Sequence, residues 1–187
     1  MTLLVLALVG TDHHPFERFV ELIDAAAVRH PEHRFLVQHG ATSGPSTADG
    51  VTYLTHDDLD QRLADCDLVI CHGGPATIMD ARSHGHLPLC IPRDPALGEH
   101  VDGHQLAFAV QASHAGLVRT VQADEPARAL LDGAILDLEQ GRWPGRAAVA
   151  TSDQALEPRR RAARELDALI GTRPRRRDAL RRMRRLR

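Results

Sequence analysis

No lysine occurs in this chain: all 23 of its basic residues are Arg. A GC-rich genome produces that bias without selection, so no special guanidinium chemistry is inferred from it. Aromatic residues are scarce, at 3%, and the body of the chain is acidic. It therefore offers neither stacking platforms nor a basic groove, and nucleic acid is not an expected partner. Cysteine is limited to Cys66, Cys71 and Cys90, an odd number set in apolar runs. These read as reduced core residues of a cytosolic protein, not as a disulfide frame or a zinc site. No apolar run reaches 18 residues, so no segment is expected to span a bilayer. The opening MTLLVLALVG lacks a positive region and a small-residue cleavage site, and Gly10-Thr11 follows at once. A first strand is expected there, not a signal peptide. P-loop, G-x-G-x-x-G and Ser-elbow patterns are missing, which argues against kinase, dinucleotide and hydrolase readings.

What is present is enough for one ordinary domain with a core, in a chain of 187 residues that is 43% hydrophobic. The net charge of −2 conceals a division: residues 157–187 hold 13 Arg against four acids, while the remainder carries 10 Arg against 21. Apolar runs alternate with helical patterns. Strands are expected at 3–9, 35–37, 51–54, 68–71, 87–91 and 117–121. Helices fall between them, except that a Gly/Ser/Thr/Pro loop from Gly40 to Gly50 joins the second strand to the third, and one more helix follows from about 127 to 138. Pro15 suits a helix's first turn, and Thr55 with Asp58 suits a helix cap. The order predicts an α/β fold, an open doubly wound parallel sheet of about six strands. Residues 1–140 form that domain. Residues 141–187 read as a linker and an Arg-rich tail, either a solvated basic end or a helix for an acidic partner or anionic membrane surface.

In such sheets ligands lie beyond the carboxyl ends of the strands, where the loops Gly10 to Pro15, Gly40 to Gly50, His72 to Pro75 and Pro92 to His104 are expected. The stretch CDLVICHGGPATIMDA places His72-Gly73-Gly74 between a strand and a helix N-terminus. Bare backbone there admits a close ligand, and the helix start offers N–H groups to a phosphate or diphosphate. A plain tight turn also favours glycine. Asp80 lies two helical turns on, within reach of ribose hydroxyls, though such a carboxylate is more often simply on the surface. PRDPALGEHVDGHQ concentrates Arg93, Glu99, His100, Asp102, His104 and Gln105, polar types suited to a hydroxyl-rich ligand. The alternation of His100, Asp102 and His104 hints at a metal but precedes a helical pattern, so no metal site is expected. His13-His14, after the first strand, fits a base, a ligand contact or a cap equally well.

The motifs LVGTDHHPFERFV, ADCDLVICHGGPATIMDA, GHLPLCIPR and GEHVDGHQLAFA, in this order across residues 3–121, resemble the C-terminal, donor-binding half of glycosyltransferase family 28. The resemblance is to its split members, in which this half is a separate subunit, as in exopolysaccharide and dolichol-linked N-acetylglucosaminyl transfer. It implies the C-terminal half of a GT-B type enzyme that moves a hexose, such as N-acetylglucosamine, from a UDP-sugar to a lipid-linked glycan with inversion. His72, Gly73, Gly74, Pro75 and Ala76 would hold the diphosphate beside Gly10 and Thr11. Asp80 matches a position usually occupied by Glu that binds ribose. His104 and Gln105, with Glu99, would contact the donor sugar, and 53–55 the base. His72 and Arg93 would stabilise the leaving group, and His14 is a candidate base. No cofactor or metal is implied, UDP-sugar being the substrate. The implied partner is a membrane-associated subunit that binds the lipid-linked acceptor, with the chain peripheral at the cytoplasmic face of the membrane. A non-catalytic nucleotide-sugar-binding module, or a scaffold for a partner transferase, is the alternative. A sugar-nucleotide epimerase is a third reading, without sequence support.

Overall fold

The computed structural model describes residues 1–120 and 126–144. The chain divides into two units, Met1–Thr151 and Ser152–Arg187, and the described residues belong to the first. The expected Arg-rich tail lies outside the described residues, as does the end of the last expected strand.

Six strands alternate with helices: β1 Leu4–Leu8, α1 Glu17–Arg29, β2 Arg34–Gln38, β3 Asp49–Val51, α2 His56–Asp65, β4 Leu68–Cys71, α3 Pro75–Ser83, β5 Leu89–Cys90, α4 His104–His114, β6 Arg119–Thr120 and α5 Ala127–Glu139. The sheet order is β3-β2-β1-β4-β5-β6, and every pairing is parallel. The direction of winding reverses between β1 and β4, which places the switch-point crevice beyond Leu8 and Cys71.

Alternation along β1 explains why its apolar run is continuous. Val5, Ala7 and Val9 face Phe19, Ile23, Leu131 and Ile135 of α1 and α5. Leu6 and Leu8 face the opposite layer, with Leu63 and Ala81 from α2 and α3. Both faces of the strand are covered, so no polar position survives in it. A third cluster packs Cys71, Ile78 and Cys90 against Ala109 and Ala112 of α4. Cys66, Cys71 and Cys90 are free and buried, as expected of core cysteines.

The Thr55 cap forms as the sequence suggests: its hydroxyl oxygen accepts the Asp58 N–H at 3.1 Å. Two details differ. Pro15 lies outside α1, because Phe16 takes the cap position and its ring is buried. The third strand forms at Asp49–Val51 rather than 51–54, an edge ladder made by backbone that includes Gly50. Trp143, in the stretch expected to be a linker, packs into the core beside α5.

Candidate functional site

Three of the loops expected at the crevice converge there: the one after β1, the His72–Gly74 turn after β4, and the one after β5. The loop from Gly40 to Gly50 is instead pinned back on α1. The Asp24 carboxylate there accepts the main-chain N–H groups of Ser46, Thr47 and Ala48. Burial opposes its ionisation, but those three donors outweigh it and hold the carboxyl below its ordinary value.

His72 is the centre of the site. Its ring lies between the bare Cα atoms of Gly10 and Gly74. A Cβ added at Gly10 would fall 2.5 Å from the ring Cε1, and one at Gly74 would meet Nε2 closer still. Gly10 and Gly73 also have φ of +83° and +93°, conformations that only glycine adopts readily. Gly10 is held by Gln38, whose side chain accepts the Gly10 N–H at 3.2 Å and donates to the Gly10 and Thr52 carbonyls at 3.0 Å. Two of the glycines therefore make room first for an imidazole, and only through it for a ligand.

The ring's tautomer follows from its partner. Nδ1 lies 3.2 Å from the Leu8 carbonyl, which can only accept, so Nδ1 carries the proton and Nε2 a lone pair. Burial drives the His72 pKa down to about 4; the Leu8 carbonyl and Asp12 oppose the shift, and Arg93 and His100 add to it. A role in stabilising the leaving group therefore requires the ring to gain a proton as the ligand arrives. At neutral pH the ring is uncharged and cannot donate from Nε2 until it gains a proton, which an arriving phosphate favours.

The N-terminus of α3 supplies donors of its own. Gly74 caps the helix without a side chain, and the first turn contains no acid. The N–H groups of Ala76 and Thr77 lie in that first turn, where helix geometry gives them no intrahelical acceptor. Pro75 and Ala76 are exposed and Gly74 partly so. Pro75 has no N–H, so it can offer a ligand only surface. Asp80 is partly buried two turns along α3, roughly 9 Å from Gly74 at about 1.5 Å per residue.

Arg93 does not serve the expected role. Its side chain is fully buried. Nη1 donates to the carbonyls of His14 at 2.6 Å and Glu99 at 3.0 Å, and Nη2 donates to that of Val9 at 3.0 Å. The guanidinium also stacks 4.8 Å from the Phe16 ring centroid, while Arg18 covers the same ring at 5.1 Å. Arg93 is a staple that ties the β1 loop to the β5 loop. Glu99 is likewise corrected from sugar contact to structural anchor. It accepts both Arg18 Nε at 2.9 Å and Nη2 at 2.7 Å, and also the Asp94 N–H.

His14 is held in a form suited to a base. Its Nδ1 lies 2.6 Å from Asp12 Oδ1, which also accepts the His14 N–H at 2.8 Å, so Nε2 is left with its lone pair. Burial opposes ionisation of Asp12, but the His14 main-chain N–H and ring outweigh it and lower the pKa. His100 Nε2 approaches the other oxygen, Asp12 Oδ2, at 3.7 Å. Asp12, His13 and His14 offer ligand atoms within 4.8 Å of one another, but the short His14–Asp12 hydrogen bond already occupies the inner pair.

His104 opens α4 with its side chain 88% exposed, and its Nδ1 lies 2.8 Å from Asp102 Oδ1. Gln105 differs: its Oε1 is buried with no hydrogen-bond partner. A buried acceptor in that state is satisfied by a ligand hydroxyl or by water. Thr11 is exposed at the rim. Between β1, β2 and α3 a cleft of about 90 Å³ is lined by Leu8, Gly10, Thr11, Gln38, Tyr53 and Thr77 among others. It is smaller than the roughly 300–1,000 Å³ of a complete ligand pocket. Sequence reasoning missed Asp12 and Gln38. The signal for Gln38 was a polar residue at the carboxyl end of an otherwise buried strand.

The fold has known counterparts. It is similar to the glycotransferase of kitacinnamycin, with a TM-score of 0.58 and 18% identity over 87% of this chain and 42% of that one. It is also similar to CalG4, the calicheamicin glycosyltransferase, with a TM-score of 0.55 and 16% identity over 92% of this chain and 45% of that one. For MurG of Acinetobacter baumannii the TM-score is 0.51 and the identity 16%, over 84% and 46%. The chain thus spans less than half the length of each of these structures, and the likeness is one of GT-B fold. The family model for the glycosyltransferase family 28 C-terminal domain matches residues 4–163. The match runs beyond the crevice and through α5, and the chain belongs to that family.

Proposed function

We propose that this chain is the donor-binding subunit of an inverting glycosyltransferase that takes a hexose from a UDP-sugar. The observation that carries the reading is the anion site at the switch point: His72 between two bare glycines, beside the unpaired N–H groups that open α3. The diphosphate lies along that helix start, and the negative charge that grows on the departing UDP meets fixed donors and a helix dipole. Asp80 takes the ribose hydroxyls, main chain at 53–55 borders the base, and Gln105 Oε1 accepts a sugar hydroxyl, with the exposed His104 beside it.

Transfer needs a base for the acceptor hydroxyl. His14, oriented by Asp12, removes that proton at Nε2 as the hydroxyl oxygen attacks the anomeric carbon. The bond from that carbon to the diphosphate oxygen then breaks, and its electron pair leaves with UDP. No metal or other cofactor takes part in these steps. The acceptor, a lipid-linked glycan in this proposal, is held by a membrane-associated partner that supplies the acceptor-binding half. The Arg-rich residues 157–187 dock the chain on an acidic partner or an anionic surface. Among the described residues no helix is long and apolar enough to cross a membrane; in this proposal the partner holds the chain at the cytoplasmic face.

The test is transfer itself. The isolated chain should bind donor but transfer sugar poorly, and addition of the acceptor-side protein should restore the rate. Efficient transfer by the isolated chain overturns the split-enzyme reading.

A further inference from the structure

At the opposite, amino end of the sheet the turn His30-Pro31-Glu32-His33 joins α1 to β2. His30, Glu32 and His33 each offer a ligand atom within 4.8 Å of the others. His33 Nε2 lies 3.7 Å from Glu32 Oε1 and 3.3 Å from Glu139 Oε1 at the end of α5. His30 Nδ1 lies 3.8 Å from the same Glu32 oxygen. Two ligands of a tetrahedral zinc ion, each at about 2.0–2.2 Å from it, stand about 3.3–3.5 Å apart. Only His30, Glu32 and His33 already have ligand atoms within 4.8 Å of one another, so Glu139, which approaches His33, must swing its carboxylate inward as the others close for two imidazoles and two carboxylates to reach zinc geometry.

We propose that these four side chains form a structural zinc site that fastens α5 to the α1–β2 turn. Beyond the clustering itself, three observations point to an ion. The His33 side chain is 0% exposed, and its Nε2 has no hydrogen-bond partner although it faces the two carboxylates. Neither Glu32 nor Glu139 forms an ion pair with an Arg among the described residues, so the partners of the two carboxylates there are imidazoles. His30 is already oriented from behind: its Nε2 lies 3.2 Å from Asp132 Oδ1, which Arg29 anchors at 2.7 Å. A carboxylate on the far nitrogen is what fixes the tautomer and ring orientation of a metal-bound histidine.

The chemistry of the donors favours zinc over magnesium, since imidazole suits the former and magnesium keeps oxygen ligands and water. One contact opposes loading. The Leu3 N–H reaches His33 Nδ1 at 3.4 Å, which puts the imidazole proton on Nε2. Zinc at Nε2 requires that proton to move to Nδ1 and the Leu3 bond to be given up. At 3.4 Å that bond is beyond the usual range for N–H donors, so it is a weak obstacle. The site lies at the other end of the strands from the sugar-transfer crevice and is independent of the donor-site proposal.

The test uses the untagged, chelator-treated full chain titrated calorimetrically with zinc sulfate, with magnesium chloride as comparison. Metal content is then counted by mass spectrometry after desalting, and Tm is measured with and without zinc. One zinc per chain is expected, with a Tm rise of several degrees and no response to magnesium. E32Q/E139Q and, separately, His30→Gln should lose both effects while keeping the Tm of the zinc-free wild type to within a few degrees. His13→Ala, at an 85% exposed side chain beside Asp12, should keep them. Failure of the wild type to retain zinc overturns the proposal. So does zinc binding that survives E32Q/E139Q and His30→Gln, or that disappears in His13→Ala.

Discussion

Gly74→Ala is the sharpest probe of how the crevice is built. Gly74 has φ −69° and ψ 131°, a conformation open to any residue. Whatever the substitution costs must therefore come from space. Its Cβ would lie 2.9 Å from His72 Cε1 and closer to Nε2. The ring cannot retreat, because Gly10 closes the opposite side and Nδ1 is bonded to Leu8. Forcing a methyl into such packing costs about 1–3 kcal/mol. With a urea slope of about 1–3 kcal/mol per molar, the unfolding midpoint should fall by roughly 1 M. Removing the ring should remove the conflict, so adding Gly74→Ala to His72→Ala should cost almost nothing. A Gly74→Ala midpoint equal to wild type refutes this account, as does an equal cost in the presence and absence of the ring. In either case the glycine would be clearing space for the ligand alone.

Further expectations follow from the same geometry. Arg93→Met should destabilise by at least about 3 kcal/mol, since it orphans several buried carbonyls; chemical denaturation reads this, and an unchanged midpoint contradicts the staple role. The buried His72 has a pKa near 4 in the fold against 6.5 for the free group, so the unfolded chain takes up its proton first. Its contribution is complete above pH 6.5 and lost as pH falls towards 4, up to about 3 kcal/mol at about 1.36 kcal/mol per unit. His72→Gln should flatten the stability profile in that window. The lowered carboxyls of Asp12, Asp24 and Asp132 act only further down, near and below their ordinary value of 3.8. In the reconstituted enzyme Asp12→Asn should lower the transfer rate at saturating donor by about 10²–10⁴-fold, while UDP affinity stays nearly unchanged. A parallel loss of affinity would remove His14 from the base role.

Much of the fold was legible because the strands at the switch point are buried on both faces. Leu68–Cys71 is an unbroken apolar run, and β4 occupies those four residues. The edge strand β3 was misplaced because backbone pairing, not side-chain burial, makes it. The His72–Gly74 turn was legible as a βα turn, but its packing was not: only the folded chain shows that the imidazole fills the space above Gly74. Arg93 and Glu99 were misread for a general reason. A polar side chain near a site looks the same in sequence whether its donors face the ligand or the loops behind it. Asp12 is not legible in the sequence because its partner, His14, fits a cap, a contact or a base equally well there; the 2.6 Å contact between them exists only in the folded chain.

The central claim is that the crevice between β1 and β4 is a uridine-diphosphate donor site. Calorimetric titration of the full chain with UDP, beside GDP, TDP and NAD, for wild type and Asp80→Ala, tests it most directly. The account predicts binding selective for UDP and weakened by the substitution, with uptake of a proton by His72 seen as a dependence on buffer ionisation enthalpy. Equal affinity for all four nucleotides, or UDP affinity indifferent to Asp80→Ala, would contradict it.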